Sequence, residues 1–579
     1  MRTRATRALV TAVFFVGACA SHTKDGDSDV VSLAINPPTS TLILDDGSAA
    51  SEAFTAVATY EDGSTKDVTS EVTFYVPASY GAMSGATLTM TLGGKTTVSG
   101  QIGSGATGAA EVIGMVQGVR VDPSLPANTP DLFGSNATED PTRVPTVVYP
   151  AEGIIVPRNL GDFEVHWTDA SSNNVFELSL EATYADLKIY VPGGNGSAAA
   201  GPDPSWTSFL SSEWEAAVGT DTSVTYQLRG ADSAMPGMVG SAPPEIVKLS
   251  NEAMNGGIYY WASAGTTSPE GIWRHDMSMP GQPAQQFETL DQTNNRCIAC
   301  HVLSRDGTQM AITWDGGNGA ADELDVAMKQ FQNGSNAWNF GAFTPDNSQF
   351  LAVEAGELVV RDQATQAVLG SMTSAGWVTH PDLSADGTEL VYVRPGLTNL
   401  DWSFGAGTIY IRTYDESTLT FGPETVLVQN ANNNYYPSFS PDGQWVVFTQ
   451  STDNTASGAY SNPSASIWVV KADGSAPPVE LAALNSAPGL TNSWARWAPF
   501  AQTFGTDDEQ MYWITTSSER NFGVRLFGLS QPQIWMTPFF PDAAGSGMDP
   551  SAPAFRLPFQ NVDSHNHIAQ WTQQVVGIE

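Results

Sequence analysis

Five consecutive residues, Cys297-Ile298-Ala299-Cys300-His301, combine the side chains that attach and ligate a c-type haem. Two thiols three positions apart can each add to a vinyl group of the porphyrin, and the imidazole that follows them can bind the iron. The chain has only three cysteines and seven histidines in 579 residues, so chance seldom produces this arrangement. The pentapeptide therefore predicts one covalent haem c, with His301 as the proximal iron ligand.

Two other chemistries compete for the same thiols. In an oxidising compartment Cys297 and Cys300 can close a small disulfide, which would be a candidate for redox activity. A zinc site formed by these thiols and His301 needs a fourth ligand and usually a second pair of cysteines, and the sequence has no such pair. Zinc is therefore disfavoured, and haem c is the main prediction.

The composition indicates that an all-β protein of several domains must position this pentapeptide. The chain contains 54 Gly and 36 Pro, and 15% of its residues are charged, which favours short strands joined by turns over amphipathic helices. Its 61 acidic and 24 basic residues give a net charge of -37, which excludes nucleic acid as a natural partner. No other catalytic motif, such as a nucleophile elbow or a nucleotide-binding loop, stands out.

Residues 1–19 predict export and lipid anchoring. Three arginines precede an apolar run, and Val16-Gly17-Ala18-Cys19 ends it. This ending resembles the lipobox of bacterial lipoproteins, in which the cysteine is diacylated; the alternative is an ordinary secretory signal with an incidental cysteine. The resemblance implies a membrane lipid anchor at Cys19, followed by a polar tether over residues 20–29. Because no Asp follows the cysteine, it also implies the outer membrane, at its periplasmic or surface face.

A first β-sandwich is predicted over residues 30–120, where short runs alternate apolar and polar residues between turns. Within it, Tyr60 to Thr69 resembles the bacterial immunoglobulin-like domains of group 2, which typically serve as spacers or adhesive modules. Residues 121–143 are rich in Pro, Asn and Ser and have no period, which predicts a linker.

A second β-sandwich is predicted over residues 144–276. Its strand-like segments include Gly257 to Trp261, which resembles a late strand of fibronectin type III domains. Residues 192–245 lack a clear pattern and indicate long loops.

Residues 280–579 contain an internal repeat whose spacing is roughly that of a four-stranded propeller blade. Each unit has a short apolar strand, a turn and a β-rich strand. Asp-Gly and Asp-Asn in the turns accept the positive φ that a tight hairpin requires. The turns are Ser304–Gly307, Thr344–Asn347, Ser384–Gly387 and Ser440–Gly443.

These units resemble the TolB-like, WD40-like β-propellers with six blades, whose repeat has a Phe-Ser-Pro-Asp-Gly turn. The pentapeptide precedes the first turn, as in exported propellers that carry Cys-x-x-Cys-His at the entrance to a blade. The predicted fold is therefore all-β, with two β-sandwich domains followed by a six-bladed β-propeller that carries the haem motif.

The second axial ligand of the iron is open at this stage. His567 is favoured because it lies in the closing segment, and the last blade of a ring lies beside the first. His565 and His380 are the alternative histidines. Methionine would give a higher reduction potential than a second histidine, and the methionines nearest the pentapeptide in sequence are Met277, Met279, Met310 and Met328.

Three functions are consistent with the sequence. In the first, an envelope lipoprotein passes single electrons between its haem and an unidentified redox partner. In the second, the propeller is a surface scaffold that recognises a polypeptide or a glycan, and the haem is structural or absent. In the third, an open iron position makes the protein a peroxidase-like enzyme. The first is preferred, because the pentapeptide and the export signal support each other.

Overall fold

The computed structural model describes residues 30–45, 47–103, 105–263, 269–315, 320–332, 337–396, 400–455, 458–486, 490–528 and 531–577. The predicted signal segment, the tether and Cys19 lie outside these residues. The chain divides into two compact units. The first unit contains described residues up to Thr41 together with Ser51–Thr89 and Lys95–Val112; the second contains Leu42–Ala50, Met90–Gly94 and the chain from Ile113 onward.

Short strands form the first unit, and their apolar side chains alternate between its core and solvent. In the first strand, for example, Leu33 and Ile35 are buried while their neighbours are exposed. A 3-10 helix spans Thr69–Glu71. The first ten strands of the chain are β1 (Val30–Asn36), β2 (Thr39–Asp45), β3 (Ala50–Ala53), β4 (Thr55–Tyr60), β5 (Thr65–Asp67), β6 (Val72–Tyr75), β7 (Gly81–Ser84), β8 (Thr87–Met90), β9 (Gly94–Ile102) and β10 (Thr107–Val121).

The second unit begins with a domain built on two sheets. Phe163 and Trp214 stack at 4.8 Å in its core. Helix α1 (Ser211–Val218) packs on its larger sheet, and 3-10 helices span Thr129–Phe133, Pro141–Arg143 and Ala198–Ala200. Its strands are β11 (Thr138–Glu139), β12 (Thr146–Tyr149), β13 (Ile155–Val156), β14 (Phe163–Thr168), β15 (Val175–Ala182), β16 (Ala185–Pro192), β17 (Ser205–Phe209), β18 (Ser223–Ala231), β19 (Met238–Ser241) and β20 (Glu245–Leu249).

Two sequence expectations about this domain need correction. Residues 121–143 are not a bare linker, because β11 pairs with β19 and Arg143 is buried against the domain. Residues 192–245 are not long loops either, since they contain β17, α1, β18 and β19. Short elements separated by turns give little periodicity, and for that reason the sequence pattern missed them.

Six further sheets follow within the described residues. We number the corresponding blades 1 to 6 by the order of their innermost strands. Their elements are β21 (Gly257–Ala262), β22 (Gly271–Asp276), β23 (Gln285–Thr289), β24 (Ile298–Leu303), β25 (Gln309–Trp314), β26 (Ala321–Asp325), β27 (Gln330–Phe331), β28 (Gly341–Phe343), β29 (Gln349–Glu354), β30 (Glu357–Asp362), β31 (Val368–Met372), β32 (Thr379–Leu383), β33 (Glu389–Arg394), β34 (Thr408–Asp415), β35 (Thr420–Phe421), β36 (Thr425–Val428), β37 (Asn433–Phe439), β38 (Trp445–Ser451), β39 (Ala465–Lys471), β40 (Val479–Glu480), β41 (Ser493–Trp497), β42 (Gln502–Phe504), β43 (Glu509–Ser518), β44 (Gln533–Phe539), α2 (Pro541–Gly545), β45 (Phe555–Arg556) and β46 (Asn566–Thr572).

The innermost strands of these sheets form a closed ring. Strands β24, β28, β32, β37, β41 and β46 contact one another in that order, and β46 contacts β24 again. A ring of sheets arranged around a central channel is a β-propeller. The predicted all-β fold and its propeller are thus confirmed.

Blade 6 is assembled from both ends of the propeller segment. Its innermost strand, β46, comes from the end of the chain, and it pairs with β21, which precedes blade 1. The sequence analysis placed residues 257–261 in the second sandwich, and this assignment was wrong. Alternation of side chains identifies a strand, but it does not identify the strand's partner.

Candidate functional site

The pentapeptide lies at the start of β24, the innermost strand of blade 1. Ile298 pairs with Trp314 and His301 pairs with Ile312, so two residues on β24 face one on β25. This β-bulge contains Ala299 and Cys300, and the backbone N–H of Cys300 donates to the hydroxyl of Thr313 at 3.0 Å instead of joining the strand ladder. The motif is therefore held in a bulged strand rather than in a helix.

The same bulge recurs in the innermost strands of blades 3, 4 and 5, which shows what position the motif occupies in the repeat. The register shifts lie between Thr379 and Asp382, between Tyr435 and Ser438, and between Ser493 and Arg496. When the four inner strands are aligned at their register shifts, His301 is equivalent to Asp382, Ser438 and Arg496. These positions face the central channel, so His301 does as well.

The two thiols lie in different surroundings. Cys297 is partly buried at the rim, and burial together with the carboxylate of Glu270 raises its pKa to about 12. Cys300 lines the central channel, and burial raises its pKa to about 11. In the described part of the chain neither thiol is in a disulfide. Reactive cysteines depend on a lowered pKa, so these thiols are not activated as nucleophiles.

His301 is 4% exposed and has a free ring nitrogen. Its Nε2 has no hydrogen-bond partner among the described residues, while Nδ1 lies 3.5 Å from the carbonyl oxygen of Ala299. Burial lowers the pKa of His301 to about 4, and the charge of Arg496 lowers it further. At neutral pH the imidazole is therefore uncharged, which is the form that binds metal ions.

His567 lies on β46, the inner strand next to β24. Burial and then the neighbouring imidazole of His301 hold the pKa of His567 well below its ordinary value, which reflects the closeness of the two rings. The His567 ring contacts the hydroxyl of Tyr460, and its centroid is 4.4 Å from that of Trp261.

His380 lines the same cavity as His301 but comes from blade 3. Its ring lies between those of Phe340 and Tyr436, at centroid distances of 4.4 and 4.3 Å. Its Nε2 has no partner among the residues described here, and burial holds its pKa well below the ordinary value.

The remaining ligand candidates are spread over different environments. His565 is half-buried, and its backbone carbonyl accepts a hydrogen bond from the N–H of Ser263. Met310 packs in the core of blade 1 and Met277 is also buried. Met279 and Met328 have more than half of their surface exposed.

The donor set of the pentapeptide fits a c-type haem, whereas the cavity beside it is too small for a porphyrin. Two thiols outside any disulfide and an unpartnered imidazole nitrogen are the groups that such a haem needs. The cavity that Cys300 and His301 line has a volume of about 30 Å³, which is room for one or two water molecules. A porphyrin ring must therefore lie outside this cavity.

Sequence reasoning missed several residues that the ring brings to this cavity. They are Asn339, Tyr436, Trp494, Arg496 and Gln570. The signal that could have found Arg496 is its repeat position, which is the one that His301 occupies in blade 1.

Two features are absent from the described residues. No group of three or more His, Cys, Asp or Glu side chains is arranged to hold a metal ion. No helix in this part of the chain is long and apolar enough to cross a membrane.

No family model matches this chain, and neither does any curated protein. Among solved structures it is similar to TolB from Acinetobacter baumannii, with 13% identity, a TM-score of 0.37, and coverage of 63% of this chain and 85% of that chain. It is also similar to a putative TolB from Agrobacterium tumefaciens, with 14% identity, a TM-score of 0.31, and coverage of 55% and 99%. Hydrazine synthase from Kuenenia stuttgartiensis matches with 14% identity, a TM-score of 0.28, and coverage of 46% and 67%.

Proposed function

We propose that this chain is a cell-envelope lipoprotein that carries one c-type haem on its β-propeller and passes single electrons to or from a partner protein. The observation that supports this most is the free Nε2 of His301, buried directly after two thiols that are not in a disulfide. A buried polar atom without a partner calls for an explanation. An iron ion bound to this nitrogen supplies one.

Each residue of the pentapeptide has a defined task in this proposal. Cys297 and Cys300 would hold the porphyrin through thioether bonds, and His301 would be the proximal axial ligand. When bound, the haem supplies a one-electron couple. The β-bulge orients His301. It places the imidazole on the side of the strand that faces the channel, while Ile298 and Leu303 remain packed in the core of blade 1.

The burial of the thiols determines when the haem could be attached. Cys300 lies against the channel in the closed ring, and the cavity beside it leaves no room for a porphyrin. Attachment must therefore precede closure of β24 against β46, and the strand end must adopt a more open arrangement around the haem.

Expression together with a cytochrome c maturation system tests the haem proposal. Wild-type protein should stain for haem after denaturing electrophoresis, have the mass of the polypeptide plus one haem, and show a c-type α-band on reduction. The variant with Cys297→Ala and Cys300→Ala should lose the stain. His275→Ala is a matched control, because His275 is a buried histidine of blade 6 that stacks on Phe559. Colourless wild-type protein with the bare mass would disprove the proposal.

We further propose His567 as the second axial ligand, because it is buried on the strand next to His301. Iron would replace the Tyr460 hydroxyl as the partner of its ring. His567→Ala should convert a six-coordinate, low-spin absorption spectrum to a five-coordinate one that binds carbon monoxide. His565→Ala and His380→Ala serve as controls and should leave the spectrum unchanged. A spectral change in His380→Ala but not in His567→Ala would refute this assignment.

A second candidate function is a binding propeller without haem. The small size of the cavity and the strand conformation of the pentapeptide favour it, because both are complete without a porphyrin. In that case the propeller would recognise a protein or a glycan, and the purified protein would be colourless.

The lipid anchor belongs to the same proposal. Acylation at Cys19 would tie the protein to the membrane, with the outer membrane expected from the residues that follow the cysteine. Cys19→Ser should then abolish incorporation of a fatty-acid label into the protein, and unchanged labelling would argue against the anchor.

A further inference from the structure

The cavity at the centre of the ring is surrounded by polar atoms that have no partner. Among its lining residues, five have a buried polar atom with no hydrogen bond to any described residue. Buried polar groups are normally paired, so five unpaired ones around a single cavity indicate an occupant. The atoms are His301 Nε2, Trp338 Nε1, Asn339 Oδ1, His380 Nε2 and Trp494 Nε1.

Arg496 brings a positive charge to the same cavity. Its guanidinium donates from Nη1 to the carbonyl of Ala495 at 3.0 Å, and no carboxylate of the described residues forms an ion pair with it. Arg496 lines the same cavity as His301 and His380. The guanidinium therefore shares this cavity with both imidazoles and lacks a direct counter-charge.

An opposing charge comes from Asp382, which acts on Arg496 electrostatically. Its Oδ2, however, accepts the backbone N–H of Phe439 at 2.8 Å. Asp382 lines a second cavity and not the one that His301 and His380 line, whereas Arg496 lines both cavities. The cavity of His301 and His380 thus keeps its positive character.

The unpaired atoms around the cavity are mainly donors. Two indole N–H groups can only donate, and a guanidinium has five donors and no acceptor. The Nδ1 of His380 accepts the backbone N–H of Tyr436 at 3.4 Å, so the Nε2 of neutral His380 carries the proton and is a donor. A volume of about 30 Å³ admits one or two small molecules. We propose that this cavity is a binding site for a small monovalent anion, of halide or few-atom oxyanion size, with Arg496 as its counter-charge.

This site does not require haem. The charge comes from Arg496 in blade 5, and Trp494 on the same strand supplies one donor. His380 and Trp338 supply donors from outside blade 5, so His301 is dispensable. The variant with Cys297→Ala and Cys300→Ala cannot hold a covalent haem, and it should still bind the anion. Failure of the haem proposal and failure of the anion proposal are therefore separable.

Bromide is the probe, because it can be located by anomalous scattering. Crystals of haem-free wild type, expressed without the maturation system, and of the double cysteine variant, soaked in sodium bromide, should show an anomalous peak within hydrogen-bond distance of the Arg496 guanidinium. Arg496→Gln should lose the peak. Arg305→Gln is the matched control and should keep the peak, since Arg305 lines the second cavity, that of Asp382, and not the cavity of His301 and His380. Its guanidinium donates to the carbonyl of Leu383.

A solution measurement separates a real site from binding at crystal concentration only. At constant ionic strength, bromide should raise the melting temperature of the wild type more than methanesulfonate, which is too large for the cavity. The apparent dissociation constant for bromide should increase at least about tenfold in Arg496→Gln, as expected for loss of a charged hydrogen-bond partner.

Three results would overturn the proposal: a wild-type cavity that holds only water at saturating bromide, a peak that persists in Arg496→Gln, or a peak in crystals without selective stabilisation in solution. The first result depends on wild-type protein alone. The test therefore stands even if Arg496→Gln does not fold.

Discussion

Burial determines the chemistry of the ionisable side chains in the propeller. It lowers the pKa of His301 to about 4 and raises that of Cys300 to about 11, so both groups are neutral at pH 7. A neutral imidazole with a free nitrogen is a good metal ligand, whereas a protonated thiol is a poor nucleophile. At this scale the site is suited to ligation and is poorly suited to cysteine-based catalysis.

Glu323 in blade 1 shows a burial effect that can be measured as a function of pH. Its Oε1 has no partner among the described residues, and burial raises its pKa to about 7 although Gln366 and Gln363 oppose this. Below pH 4.5, where the unfolded carboxyl is also protonated, this group does not penalise folding. Above pH 4.5 the folded state holds this proton more tightly than the unfolded state does. The free energy of unfolding should therefore fall as the pH rises through about 7.

Glu323→Gln should remove that fall. The free energy of unfolding of the variant minus that of the wild type should be larger at pH 8 than at pH 5. The increase should be on the order of 2 kcal/mol. Urea denaturation at the two pH values measures this difference. Glu357→Gln, at an exposed position in blade 2, is the control, and an equal gain in both variants would contradict the assignment to Glu323.

Single residues differ in how far the sequence predicts them. The pentapeptide is local, so its donors could be recognised from five letters. His567 could be placed near His301 only by assuming a closed ring, and the structure puts it on the adjacent inner strand. Arg496 could be predicted as a cavity residue only from its repeat position, and Asn339 could not be predicted at all, because both meet His301 only where the inner strands of different blades converge.

At the scale of elements, the repeated turns were the most predictable feature. In each, a Ser or Thr hydroxyl donates to the Asp two residues later and accepts the backbone N–H five residues later; in the first turn these bonds are 2.7 and 3.0 Å long. The turn residue after the Asp has positive φ, 77° at Gly307 and 60° at Asn347. Local hydrogen bonds and a local backbone requirement are encoded in adjacent residues, so the sequence pattern was sufficient.

Gly443 provides a clean test of this backbone requirement. Its φ is 70°, and a Cβ placed there would meet nothing closer than 4.0 Å, so a substitution is limited by conformation and not by space. Gly443→Ala should lower the free energy of unfolding by about 1 kcal/mol. Gly443→Asn should cost less, since Asn tolerates this region better. Chemical denaturation of both variants measures the difference, and equal losses would contradict the explanation.

The pairing of strands from distant parts of the chain in blade 6 was the least predictable feature at the scale of elements. β21 and β46 are separated by almost the whole propeller sequence, yet they pair over residues 257–262 and 566–572. No periodicity within either strand specifies a partner so far away. Helix α1 was missed for a different reason, because it has only eight residues and lies between short strands.

The closing strand itself should control the stability of the ring. Truncation after His565 removes β46, which pairs with β21 and contacts β24 and β41. It should abolish the cooperative thermal transition of the propeller, because two neighbouring blades lose their innermost packing. Truncation after Gly577 removes no described strand and is the control. A truncated protein that melts like the wild type would show that the ring is stable without closure.

At the scale of the whole second unit, buried charges fix the two-sheet domain to blade 5. Although burial opposes it, His166 and Arg525 lower the pKa of Glu164 to about 2. Arg525 donates to both Glu164 oxygens at 2.8 and 2.9 Å, and its guanidinium lies 3.9 Å from the ring centre of Trp206. The domain and the propeller should therefore unfold together.

Arg525→Met should uncouple them. It leaves the carboxylate of Glu164 buried with His166 as its remaining partner, which should cost about 3 kcal/mol. Calorimetry should then resolve two transitions where the wild type shows one. Arg120→Met is the control, because Arg120 pairs with Glu213 inside the two-sheet domain and is partly exposed; it should cost less than about 1 kcal/mol. A single unchanged transition in Arg525→Met would refute the coupling.

Blade 6 combines strands from both ends of the propeller segment, so the ring can close only after its last strand is available. Under the proposed export, strand β24 would leave the export channel long before β46, and until β46 arrives its inner edge would have no neighbour on that side. An enzyme that attaches the proposed haem would thus have the interval of translocation in which to reach Cys297 and Cys300. Once the last strand docks, that access ends, so the speed of secretion and the extent of modification should be linked.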